Sequence, residues 1–140
     1  MKIEISPKIP APLRRSILST IQRSHDAAPM TARKLRVVPL KKKEKSMCAG
    51  YASMEGDIAT LTVNVNVDDL SDTIYHECFH IHQMSIGHLV QDYGAFIWKN
   101  IRIPIWLYVM FYPMIPFERA AYKFAARMVK NDKRRSDQIA

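Results

Sequence analysis

The chain has only two cysteines, Cys48 and Cys78, and no C-x-x-C pair. That excludes a disulfide scaffold and a cysteine-based metal or redox motif. Placed in segments that read as a strand and a helix, the two residues suit buried thiols in a reducing compartment. The opening residues, MKIEISPKIPAPLRR, have no uninterrupted apolar stretch and no small-residue cleavage site of the secretory kind, so the expected location is cytoplasmic. A membrane-spanning run is also missing. Ile103 to Phe117 (IPIWLYVMFYPMIPF) is apolar throughout, but it is shorter than the ~20 residues a spanning helix needs and is broken by Pro104, Pro113 and Pro116. It is expected to be buried or interfacial. There are no internal repeats, no low-complexity segment beyond a short lysine run, and no basic motif interleaved with aromatics of the kind that grips nucleic acid.

What is present is enough for one core. At 140 residues with 48% apolar side chains, the chain reads as a single domain over 1–140. Twenty-one Lys and Arg against thirteen Asp and Glu give a formal charge of +8, which favours anionic partners such as nucleic acid or a lipid surface through long-range attraction. The excess is concentrated in Lys41-Lys42-Lys43-Glu44-Lys45, in Arg14-Arg15 and in Lys130 to Arg135. Such runs are commonly solvated loops and helix ends, so contact of this kind is expected to be weak.

Lys2 to Ser6 reads as a short strand. Pro10-Ala11-Pro12 then introduces a helix from Pro12 to His25, with Leu13, Ile17 and Ile21 in one apolar stripe. Strands are expected at Leu35 to Leu40, Met47 to Met54 and Ile58 to Val67, the last two joined as a hairpin through Glu55-Gly56-Asp57. In the third, Leu61, Val63, Val65 and Val67 alternate with Thr60, Thr62, Asn64 and Asn66, the signature of a strand with one face in water. Pro39 marks an edge or an exit. After the acidic Asp68 to Asp72, a helix should run from Leu70 to Ser85 and stop at Gly87. A further helix covers Phe117 to Lys130, with Phe117, Ala121, Phe124 and Met128 on one side. His88 to Met114 carries no pattern strong enough to assign.

Within the Leu70 helix lies His76-Glu77-Cys78-Phe79-His80. Histidines at i and i+4 project from one helical face a turn apart and can share one zinc ion, while Glu77 flanks the same position as a general acid-base group. A catalytic zinc takes three protein ligands and leaves one position open. Glu118 is the candidate third ligand: it opens the next helix, where Ala121 and Ala125 at i+3 and i+7 allow a close helix crossing. His88 and Asp92 are weaker candidates. His82 points away from His80, and His25 has no ligand-like partner.

These residues resemble the zincin metallopeptidases, whose signature H-E-x-x-H is matched by His76, Glu77 and His80. The metzincin extension is absent, since Gln83 and Ile86 stand where Gly and His are required, and no G-T-x-D pattern surrounds Asp92. What remains resembles the gluzincins in a minimal, single-domain form. The resemblance implies an α+β fold: a small zincin-like sheet with a backing helix, an active-site helix and a C-terminal glutamate helix. It implies Zn2+ on His76, His80 and Glu118, hydrolysis of a peptide or protein substrate, and Glu77 as base. It also implies an oxyanion-stabilising tyrosine, for which Tyr93, Tyr108, Tyr112 and Tyr122 are candidates and Tyr122 is favoured by its spacing from Glu118. By the same analogy, Ile58 to Val67 is the edge strand along which the peptide lies. The alternative is a non-proteolytic zinc-containing module that binds a protein partner or nucleic acid through its basic surface.

Overall fold

The computed structural model describes residues 1–41 and 48–139. Lys42 to Lys45 of the lysine run, and Met47 at the start of an expected strand, lie outside the described residues. The fold is α+β, as expected.

Four strands form the main sheet: β1 (Lys2–Ile5), β2 (Lys34–Pro39), β3 (Gly50–Glu55) and β4 (Ile58–Val63), in the order β1-β2-β4-β3. The pairs β1/β2 and β2/β4 are parallel, while β3 returns antiparallel to β4 through a turn in which Gly56 adopts φ 62°. A positive φ there is cheap only for glycine. Leu35, Val37, Ala52, Ala59, Leu61 and Val63 project to one face and are buried with Ile17 and Ile21 of α1 (Ala11–Ala27) and Ile74, Cys78 and Ile81 of α2 (Leu70–Ser85). Arg36, Tyr51 and Ser53 lie exposed on the other face.

Two expectations about the third predicted strand are corrected. β4 is not an edge but lies between β2 and β3, and the edges are β1 and β3. It also ends at Val63 rather than Val67: the Asn64 side chain accepts the Asn66 amide at 3.1 Å, a local turn that competes with the ladder. Cys48, expected in a buried strand, precedes β3 and is exposed. Cys78 is buried.

His88 to Met114, unassigned from sequence, contains an antiparallel meander of β5 (Leu89–Asp92), β6 (Ala95–Trp98) and β7 (Ile101–Pro104), then α3 (Ile105–Met110) and a 3-10 turn at Tyr112–Met114. Lys99 and Asn100, both at positive φ, make the tight turn between β6 and β7. The segment Ile103 to Phe117 is divided in its burial: Ile103, Ile115 and Phe117 are buried, while Trp106, Val109, Met110 and Met114 are exposed. Among the described residues, no helix is long and apolar enough to cross a membrane.

The last helix, α4 (Pro116–Ile139), extends well beyond the expected end at Lys130. Its far half is tied down by Arg23 of α1, which donates to the Tyr75 hydroxyl at 3.0 Å and pairs with Asp132 at 3.1 Å, while Tyr75 also bonds Asp132. Burial first, then the bond to Asp132, pushes the Tyr75 phenol up to about 12. One residue each from α1, α2 and α4 thus ties the far half of α4 to the helix that carries His76 and His80.

Candidate metal centre

His76 and His80 lie one turn apart on the buried face of α2. The helix keeps the bounds expected of it. Asp69 sits at the N-cap without a side-chain cap bond, so the acidic start contributes charge, through Asp72, rather than capping. At the other end Gly87 takes φ 77°, and the Gly87 and His88 amides bond the carbonyls of Met84 and Gln83 at 3.1 and 3.0 Å. That is a Schellman stop, and it turns the chain into β5 at the wall of the site.

α4 crosses α2 closely because Ala121 and Ala125 are fully buried in the contact and Phe124 stacks on Phe79 at 4.6 Å. The crossing carries Glu118 to the two histidines. Its Oε1 lies 2.9 Å from His76 Nε2 and 2.7 Å from His80 Nε2, and the two nitrogens are 3.2 Å apart. All three side chains are buried, and together they form a group able to hold a metal ion.

The hydrogen bonds around this cluster decide what it can accept. The Gln83 amide donates from Nε2 to the Phe117 carbonyl at 3.0 Å, so its Oε1 must face His80. His80 Nδ1 lies 2.8 Å from that oxygen and therefore carries the proton. A neutral His80 then presents a lone pair at Nε2, facing the Glu118 carboxylate and the second imidazole nitrogen. Protons on the Nε2 atoms, or a metal ion among the three atoms, can relieve lone pairs packed this closely in a buried space. Burial lowers the His80 pKa more than any other single cause, but the bond to Glu118, the charges of Glu118 and Glu77 and the bond to Gln83 together outweigh it, and the net shift is upward. Burial likewise tends to raise the Glu118 carboxyl, and the bonds from His76 and His80 overcome this and hold it down at about 2. A zinc ion would hold its ligand atoms ~3.3 Å from one another, close to the 3.2 Å between the nitrogens, whereas Glu118 Oε1 lies nearer, at 2.9 and 2.7 Å, and would have to draw back to bind beside them. His76 Nδ1, on the outer side of its ring, is buried with no hydrogen-bond partner.

Glu77 lies beside the cluster on the wall of a cavity of about 680 Å³. Burial pushes its carboxyl up to about 7, against the pull of His80 and His76 and with a further upward push from Glu118. The opposite wall is β3. Gly50 there has no room for a side chain: a Cβ would meet the Thr62 carbonyl oxygen at 2.7 Å and Thr73 Cγ2 at 3.1 Å. The Ala52 carbonyl, turned outward from β4, accepts a bond from Gln91 Nε2 at 3.2 Å.

The tyrosine candidates separate clearly. Tyr93 is 97% exposed and lies outside the cavity lining, whereas Tyr108, Tyr112 and Tyr122 all line it. The Tyr122 ring lies 4.4 Å from that of His76, and its hydroxyl donates to Tyr112 at 3.0 Å. Tyr108 donates to Glu118 Oε2 at 2.6 Å; burial and that bond both raise its pKa. The weaker ligand candidates are elsewhere: Asp92 pairs with Arg102 at 2.9 Å, His88 packs on Trp98, His82 donates to the Pro29 carbonyl at 2.7 Å, and His25 accepts the Met30 amide at 3.1 Å.

Two participants escaped the sequence reading. Gln83 registered only as a mismatch to a metzincin pattern, although its position three residues after His80 puts it on the same helical face. Gly50 carried no local signal, because its constraint comes from the Thr62 carbonyl on the neighbouring strand and, next, from Thr73 on α2.

No family model matches the chain, and neither a curated protein nor a solved structure matches it.

Proposed function

We propose that the chain is a zinc-dependent peptidase, with His76, His80 and Glu118 as ligands and Glu77 as general base. The observation that carries this reading is the buried convergence of His76 Nε2, His80 Nε2 and Glu118 Oε1, with His80 Nδ1 fixed as a donor by Gln83. Bound there, zinc supplies Lewis acidity and lowers the pKa of water to ~7.

The chain's own groups do the rest. Glu77, on the cavity wall beside the two histidines, is placed to take a proton from water and return it to the leaving amine. Tyr122, packed against the His76 ring at the cavity wall, is the hydroxyl assigned to the developing oxyanion, toward which it would turn from Tyr112; Tyr108 is held by the charged Glu118. β3 is an edge strand whose outward backbone groups, apart from the Ala52 carbonyl held by Gln91, would meet an extended peptide that adds a strand to the sheet.

Glu77→Gln tests the assignment. The variant should keep its zinc and lose ~10²–10⁴-fold in cleavage of an unfolded protein such as casein. Undiminished cleavage would remove Glu77 from the mechanism.

A further inference from the structure

We propose that the face formed by α3 and the following 3-10 turn docks the protein onto an anionic lipid surface, its apolar side chains entering the interface and flanking cations meeting the headgroups.

None of the residues in α3 is fully buried. Trp106 is 63% exposed, Val109 68%, Met110 68% and Met114 69%, with Ile105 and Phe111 beside them. Large apolar side chains gathered in this way mark a surface that meets something less polar than water. The segment is too short to cross a bilayer but suits lying in its interface, where tryptophan and tyrosine are favoured.

Charge selects the occupant. Between Asp92 and Asp132 the sequence contains a single acidic residue, Glu118, and it is buried in the metal cluster. Asp92 itself is paired with Arg102. Lys99 and Arg102 precede the apolar segment in the β6–β7 hairpin, and Arg119 follows it on α4. Arg119 is three residues before Tyr122 and so shares its side of the helix, and Tyr122 bonds Tyr112 in the 3-10 turn. Along the chain from Tyr93 to Asn131 every exposed charged side chain is therefore a cation, although Arg102 is paired with the half-exposed Asp92 and the exposed Asp72 lines the neighbouring cavity. A second copy docked symmetrically on the same face would oppose these cations with their own counterparts, on chains each carrying +8. An anionic lipid surface complements both features at once. Tyr108, Val109 and Tyr112 also line the cavity, so docking places its mouth at the lipid surface.

The test is co-sedimentation of the full chain with phosphatidylcholine vesicles, with and without phosphatidylglycerol. The parent chain should sediment with the anionic vesicles, and the double variant W106S/M110S should bind them about tenfold more weakly. Neither residue lines the cavity, and a thermal melt checks that the variant is folded. The charge-reversal variant K99E/R119E repeats the test independently and should also lose binding. Parent-level binding by both variants, no binding by the parent, or a dimer abolished by W106S/M110S with vesicle binding absent would overturn the proposal. Binding is also measured on His80→Ala, whose unchanged sedimentation is expected and keeps this result separate from the metal reading.

Discussion

The main sheet with α1 and α2, and the β5–α3 segment, contain similar kinds of apolar residue but use them differently. In the first, apolar side chains recur with the period of the element that carries them: Leu35 and Val37 on β2, Ala59, Leu61 and Val63 on β4, Ile74, Cys78 and Ile81 on α2. All are buried against one another. In the second, fifteen residues from Ile103 to Phe117 contain no charge, yet Trp106, Val109, Met110 and Met114 stand in solvent. Periodicity, not apolar content, decides what a fold can bury, because only a face that repeats with its element meets a partner along its whole length.

Core truncation should show the largest difference between the regions. Leu61→Ala removes a fully buried side chain from the central strand and should cost ~2–5 kcal/mol in urea unfolding. A loss below about 1 kcal/mol would mean that the sheet is not the principal core. Next is Gln83→Leu, which removes the acceptor that fixes the His80 tautomer and should weaken zinc affinity ~10–100-fold in a chelator competition. Unchanged affinity would show that the tautomer is set otherwise. Asp132→Ala, which opens the partly buried bridge to Arg23 and Tyr75, should lower stability by ~1–2 kcal/mol. Smallest of all, Met110→Ser should stay within ~0.5 kcal/mol of the parent, since its side chain already lies in water. Thiol labelling divides the two cysteines in the same sense: Cys48 should react in the native chain, and Cys78 only after unfolding.

The same contrast explains what the sequence made legible. α2 was readable to its ends, because an acidic start, a helical stripe and Gly87 agree with one another. Glu118 could be singled out because Ala121 and Ala125 signalled a close crossing, which the structure contains. β5, β6 and β7 have four residues each, too few for alternation to stand out, and their turns at Tyr93-Gly94 and Lys99-Asn100 lie inside an apolar context. The position of β4 in the sheet was misjudged for another reason: alternation reports which side chains face the core, not whether a neighbour lies on one side or both. Thr62, on the face expected to meet water, is buried. Tyr108 sits in the run without periodicity, so nothing local distinguished it from Tyr112 or Tyr93 as the partner of Glu118.

The central claim is that His76, His80 and Glu118 hold one metal ion, and elemental analysis of the purified chain beside His80→Ala and Glu118→Ala tests it most directly. The account predicts about one zinc per chain in the parent and its loss or marked weakening in both variants, each still folded by circular dichroism. A parent chain that takes up no zinc after reconstitution, or variants that retain it fully, would contradict it.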